Sequence, residues 1–190
     1  MIEQEIRDSI YVKKQILDDD KLLLQIQDLA KKCLESLKNG GKIILAGNGG
    51  SFADAQHISA EFTSRYMIDR DSLASVCLGT NNSAISSIAN DYGYDKVFSR
   101  ELSSIGNKTD IFIAISTSGN SKNIIEAIKI ADQKEIKTFA LTGGTGGNIN
   151  DLCECVKIPS SETGRIQECH IMIGHIICRI IEQEYFKEIK

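Results

Sequence analysis

His57 and Glu61 stand four residues apart in the stretch 45–65, LAGNGGSFADAQHISAEFTSR. In a helix of ~3.6 residues per turn that spacing stacks them on one face. A neutral imidazole and a carboxylate aimed at one place supply either half of a divalent-metal site or a base with its orienting partner. Just ahead of them, Gly47-Asn48-Gly49-Gly50-Ser51 has so little side-chain bulk that backbone N–H groups can come close to a bound anion. The helix that opens there, on Ser51, adds the positive end of its dipole, and phosphate is the expected anion. A second loop, Ser116-Thr117-Ser118-Gly119-Asn120-Ser121, follows the apolar run IFIAI and opens another helix. A helix cap needs a single hydroxyl, whereas four hydroxyls, a glycine and a helix N-terminus form a neutral cradle for a phosphate monoester.

Other polar groups are candidates for the rest of a substrate. Asn90 and Asp91, in the ANDYG segment, pair an amide with a carboxylate suited to sugar hydroxyls, and Arg65, two turns beyond His57, is placed to clamp a charged group. On the closing segment RIQECHIMIGH, Gln167 and His175 are eight residues apart, which a regular helix separates by ~12 Å of rise. If both serve one metal, either each reaches far or the two come from different subunits, so the spacing favours a site across an interface. His170 lies ~140° round the helix from His175 and reads as packing behind the site. The glycine-rich segment 142–147 reads as a mobile lid or turn without a ligand of its own. Neither the dinucleotide fingerprint nor a G-x-x-x-x-G-K-[ST] loop is present, which favours a small phosphorylated metabolite over ATP or NAD.

These groups need a scaffold. Helical spacing runs through 2–17 and 20–39, with Asp18 to Asp20 breaking it and Asn39-Gly40-Gly41 closing it, so a helical hairpin is expected over 1–40. Its apolar stripe, Ile2, Ile6 and Ile10, needs a partner, and another subunit would supply one. From 41 to 190 short β-rich runs at 42–46, 72–78, 110–116, 137–142 and 154–158 alternate with helical patterns at 51–65, 83–92, 94–105, 121–134 and 163–188. Strands apolar on both faces belong to a parallel sheet flanked by helices, so the reading is a single α/β domain over 1–190, with ligands outside the carboxyl ends of the strands. The last helix is apolar nearly all round, which predicts burial against a further copy of the chain.

The chain has 190 residues, 42% of them hydrophobic, and a net charge of −4. That suffices for one core and argues against a nucleic-acid partner, which normally meets a basic face. The N-terminus lacks the apolar run of a secretory signal and no apolar stretch is long enough for a membrane span, so a cytoplasmic location is expected. The six cysteines are then expected to be reduced, with Cys153 and Cys155 packing on one face of a strand.

GNGGSFADAQHISAEFTSRY, ANDYGY, STSGNS and RIQECHIMIGH resemble the phosphoheptose isomerases of the sugar-isomerase (SIS) domain superfamily, and the likeness covers essentially the whole chain. The resemblance implies a three-layer SIS-type fold with a five-stranded parallel sheet. It implies an aldose–ketose isomerase that converts sedoheptulose 7-phosphate to D-glycero-D-manno-heptose 7-phosphate, toward bacterial surface heptose in lipopolysaccharide or capsule. It also implies a homotetramer with shared active sites and one zinc ion in each. Carried over by position, His57, Glu61, Gln167 and His175 would hold the metal, and Ser116, Thr117, Ser118 and Ser121 the phosphate. Asn48, Gly49, Gly50, Ser51, Asn90, Asp91 and Gln167 would touch the sugar, with Glu61 as base and His175 as acid or base. A competing reading is a non-catalytic SIS module, either a sugar-phosphate sensor or a tetrameric adaptor like the replication-initiator-associating relatives. Such a module has no need of the His57/Glu61 pair together with Gln167 and His175.

Overall fold

Alternation along the strands sends apolar side chains to two separate cores, one on each side of a single sheet. In the computed structural model, which describes residues 1–187, five strands lie parallel in the order β2-β1-β3-β4-β5. They are β1 (Ile43–Ala46), β2 (Ser75–Cys77), β3 (Ile111–Ser116), β4 (Lys137–Gly143) and β5 (Glu154–Ile158). Ile43, Leu45, Ile111, Ile113, Ile115, Phe139 and Leu141 face one core. There they meet α2 (Asp20–Lys38), α3 (Gly50–Thr63) and α7 (Thr163–Tyr185). Ile44, Ala46, Phe112, Ala114 and Ala140 face the other core, closed by α5 (Val97–Ile105) and α6 (Lys122–Gln133). Burial on both faces is why β3 is apolar at successive positions. The expected parallel α/β sheet is therefore the observed one.

The chain leaves β1 toward β2 on one side and returns to β3 on the other, so the order of strand addition reverses between β1 and β3. The loops after these two strands face each other across that switch point, where ligands of open parallel sheets bind. They are Gly47–Gly49 and Thr117–Ser121, the two loops with anion-binding composition.

Several elements depart from expectation for identifiable reasons. The strand expected over 72–78 is cut to three residues. Its partner β1 begins at Ile43, opposite Ser75, and the Leu73 N–H goes to the Phe62 carbonyl instead. The helix expected over 94–105 starts with a tight turn at Tyr94–Lys96 after Gly93, whose φ is +86°. α3 begins at Gly50 rather than on Ser51, with Gly49 at the cap position and no side-chain cap, and it ends at Thr63, before Arg65. The last helix stops at Tyr185, and the end expected for it at 188 lies outside the described residues.

The helix α1 (Ile2–Leu17) is buried only at Val12 and Ile16. Ile2, Ile6 and Ile10 remain exposed, so the apolar stripe has no cover among the described residues. α7 is not wrapped all round: Ile166, Cys169, Ile173, Ile177 and Ile181 are buried inside the chain, while Ile176 is exposed. None of the six cysteines is in a disulfide, and five are buried. Among the described residues no helix is long and apolar enough to cross a membrane.

Candidate functional site

The two loops at the switch point are built to present donors. Gly47 is required by close approach, because a Cβ there would run into the Ser51 backbone. Gly49 adopts φ +55°, which side chains rarely tolerate. The turn they make leaves the first N–H groups of α3 without helical carbonyls behind them. Across the crevice Ser121 occupies the cap position of α6 but does not cap it. Its Oγ lies 3.1 Å from Ser116 Oγ, while Ser118 Oγ accepts the Asn120 N–H at 3.1 Å. Hydroxyls and uncapped helix N–H groups thus collect at one end of the crevice.

The helix N-termini are tied together by a contact the sequence did not reveal. Asn48 and the buried Asn123 exchange two amide hydrogen bonds, each 2.9 Å. Tyr94 Oη adds a bond to Asn48 Oδ1 at 3.2 Å. Asn48 and Tyr94, with Gly79 and Phe98, enclose a cavity of about 240 Å³ beside the glycine turn. Asn123 lies 75 residues from Asn48 in a run of ordinary helical residues, so no spacing signalled it.

The 142–147 segment is a turn rather than a mobile lid. Thr142 and Gly143 complete β4, and the Gly143 N–H bonds the Thr117 carbonyl at 3.0 Å. Gly119, with φ +65°, packs so closely on the Gly146 carbonyl that a Cβ would collide with it. The turn is a buttress under the hydroxyl loop.

Two turns along α3 from the glycine loop, His57, Glu61 and His175 converge, each offering a ligand atom within 4.8 Å of the others. His57 Nε2 is 3.0 Å from Glu61 Oε1 and 3.4 Å from His175 Nε2. The single in-plane position on His57 Nε2 holds either a proton or a lone pair, so that nitrogen cannot donate to Glu61 and also accept from His175. A divalent cation taking a lone pair from each resolves the conflict. Tetrahedral zinc with bonds of about 2.0–2.2 Å sets its ligand atoms about 3.3 Å apart; the two separations from His57 Nε2 lie on either side of that value, and the third, Glu61 to His175, is wider but within 4.8 Å. The donor set fits such an ion.

Helices α3 and α7 run side by side: Gly174 packs on Ile58, and a Cβ at Gly50 would fall 2.6 Å from Gln167 Nε2. Gln167 therefore lies level with the glycine turn, and His175 with His57. Within one chain Gln167 is about 10 Å along α3 from the trio. Asn90 donates to Asp91 Oδ1 at 2.8 Å, and both sit on the exposed polar face of the helix α4 (Asn82–Tyr92), away from His57 and Glu61. Arg65 is exposed, and no ion pair forms to it among the described residues.

What holds the trio was also hidden. Tyr66 stacks on His175, ring centroids 5.7 Å apart and planes within 17°. Behind it, Glu182 accepts the Tyr66 and Met67 N–H groups at 3.1 and 2.8 Å and pairs with Arg70 at 2.9 Å. Burial pushes the Glu182 carboxyl up, but the Met67 N–H, the Arg70 guanidinium and the Tyr66 N–H outweigh it and hold the group below the usual carboxylate range. Glu182 stays charged.

His170 is fully buried behind this face, with Nε2 3.3 Å from the Thr142 carbonyl and no partner for Nδ1 among the described residues. Burial lowers its pKa to about 4, against a smaller opposing effect of the Thr142 bond. Since the folded value lies below the unfolded one of about 6.5, acid protonates the unfolded chain first, and stability present above pH 6.5 is lost toward pH 4. At pH 5 the loss from this group is about 2 kcal/mol. Urea unfolding at pH 7 and pH 5 should show His170→Asn losing less stability than the parent protein over that interval. Equal losses would refute the assignment.

With this geometry in place, comparison with known proteins is specific. A family model described as SIS domain matches residues 11–143. The chain is similar to phosphoheptose isomerase 2 of Campylobacter jejuni, 53% identical over 180 residues that cover 94% of this chain and 90% of the relative. It is similar to the phosphoheptose isomerase of Aneurinibacillus thermoaerophilus, 52% identical over 187 residues, 98% and 94% of the two chains. Among solved structures it is similar to the phosphoheptose isomerase of Neisseria gonorrhoeae, with a TM-score of 0.88, 40% identity, and 96% and 97% of the two chains covered.

Proposed function

The chain belongs to the SIS domain family and within it to the phosphoheptose isomerases, and from that premise we propose how its own residues interconvert sedoheptulose 7-phosphate and D-glycero-D-manno-heptose 7-phosphate. The observation that carries the reading is the meeting of Glu61 and His175 around His57, from two helices whose far ends reach the donor-rich loops. The phosphate sits against Ser116, Thr117, Ser118, Ser121 and the N-termini of α3 and α6. Asn48, Gly49, Gly50, Ser51 and Gln167 contact the sugar, joined by Asn90, Asp91 and Arg65 once substrate or a neighbouring subunit closes over them.

Moving a carbonyl between the first two carbons takes a proton from one and returns it to the other through an enediolate. Glu61 removes and returns the carbon-bound proton. His175 exchanges protons with the oxygens or carries the second transfer. Zinc is the ion we assign to the trio: His57, Glu61 and His175 would hold it, and when bound it polarises the carbonyl and lowers the energy of the enediolate oxygen. Gln167 as a fourth ligand would come from another copy, because in its own chain it lies level with Gly50.

We read residues 1–190 as one SIS domain assembled as a homotetramer in the cytoplasm. The exposed stripe of Ile2, Ile6 and Ile10 supports that assembly. A non-catalytic sensor or adaptor has no use for a base and an acid that converge, and that reading is not favoured. Purified protein incubated with sedoheptulose 7-phosphate should form the aldose heptose 7-phosphate. A chelator should suppress the reaction and zinc should restore it, while light scattering reports four chains. No product under any metal condition would sink the substrate assignment, undiminished turnover in chelator the metal, and a fully active monomer the shared site.

A further inference from the structure

We propose that the buried Arg70–Glu182 pair is a positioning device for catalysis, setting the orientation of His175 through the Tyr66 ring and the placement of Glu61 through its backbone. This deepens the reading above and rests on it. Both charged side chains are only 2% exposed. Arg70 comes from the segment after α3 and Glu182 from α7, seven residues beyond His175 and so on the same face of that helix.

Arg70 gives one further bond to its neighbour, the Asp71 carbonyl at 3.0 Å, and the other bonds of the pair go to the segments that carry the site. Arg70 donates to the carbonyls of Glu61 at 2.8 Å, Phe62 at 2.9 Å and Ser64 at 3.2 Å, which lie at the C-terminal end of α3. The fork satisfies carbonyls that a helix end leaves unbonded and fixes the last turn, which carries Glu61. Glu182 divides its two oxygens between the Tyr66 and Met67 N–H groups. This locks the backbone of the residue whose ring lies flat on His175. An imidazole torsion is broad and roughly two-fold, so the half-buried ring of His175 is not oriented by its own torsion. A stacked ring held by a buried ion pair supplies an orientation, and proton transfer depends steeply on that alignment. Lysine could not replace Arg70, because a single ammonium lacks the planar fork that reaches Glu182 and the carbonyls together.

The decisive variant is Tyr66→Leu, which keeps apolar bulk at a half-buried position and removes the stack. We expect kcat to fall by about ten- to hundredfold, as misplacement of a reacting group does, while KM and the melting temperature stay put. Tyr66→Phe, which keeps the ring, should recover most of kcat. In metal-free protein the ring C–H resonances of His175 should move downfield in Tyr66→Leu, because the shielding ring above them is gone. Arg70→Lys should lower kcat in the same way, and if that variant does not fold the Tyr66 pair still decides. Turnover in Tyr66→Leu equal to the parent's, or a kcat loss that Tyr66→Phe does not recover, would overturn the proposal. Absence of isomerase activity in the parent protein would instead refute the functional reading, while the unloaded His175 resonances would still report the stack.

Discussion

Glu61→Gln should fold, bind sugar phosphate and lose about 10²–10⁴-fold in kcat, the usual contribution of a positioned general base. The substitution keeps the shape of the side chain and an oxygen able to accept from His57, whose Nε2 is 3.0 Å away. What it removes is the capacity to take a proton from carbon. Binding of a non-isomerisable heptose phosphate analogue should change little by calorimetry, since the loops proposed to hold the phosphate lie two helical turns away. The same variant separates the two roles that compete for this carboxylate, because an oxygen bound tightly to zinc is a weaker base. Zinc content measured on the purified variant decides: retained metal with lost turnover assigns Glu61 as base, and joint loss assigns it as ligand. Turnover within tenfold of the parent's would remove Glu61 from the chemistry.

Short-range physics made much of this site legible. β3 is six successive buried residues, and its run of apolar side chains announced a strand covered on both sides. His57 and Glu61 share a helix face by spacing alone, and glycine and hydroxyl composition marked both loops. What was hidden depends on distant partners. Glu182 meets the backbone of Tyr66 across 116 residues, and Asn123 meets Asn48 across 75. Neither pairing has a period or composition that a local window could register. The separation of Gln167 and His175 along the helix was legible from their spacing, and the two lie level with different turns of α3. Only the packing of α7 along α3 revealed which groups each of them meets. At 142–147 the sequence leaves lid and turn open for a related reason: glycines that look like freedom are there because another backbone presses against them.

That contact makes Gly119→Ala the second large effect. At φ +65° an alanine is strained, and its methyl would strike the Gly146 carbonyl, a backbone atom that no rotamer change can move aside. Left-handed backbone costs about 1–2 kcal/mol and overpacking about 1–3 more, so a stability loss of about 2–5 kcal/mol is expected. The loops cannot part quietly. Asn120 Oδ1 accepts the Asn148 N–H at 2.9 Å, the Ile149 N–H bonds the Gly119 carbonyl at 3.1 Å, and Gly143 holds Thr117. Displacing this seam moves the hydroxyls of Thr117 and Ser118, so KM for the sugar phosphate should rise as well. Gly40→Ala supplies the contrast, because Gly40 has φ +78° with nothing within 4 Å of its added methyl, and it should show backbone strain alone, about 1–2 kcal/mol. Urea unfolding and steady-state kinetics on the two variants separate strain from collision. If Gly119→Ala were no worse than Gly40→Ala and bound substrate as tightly as the parent, the glycine turn would not be buttressing the hydroxyl loop.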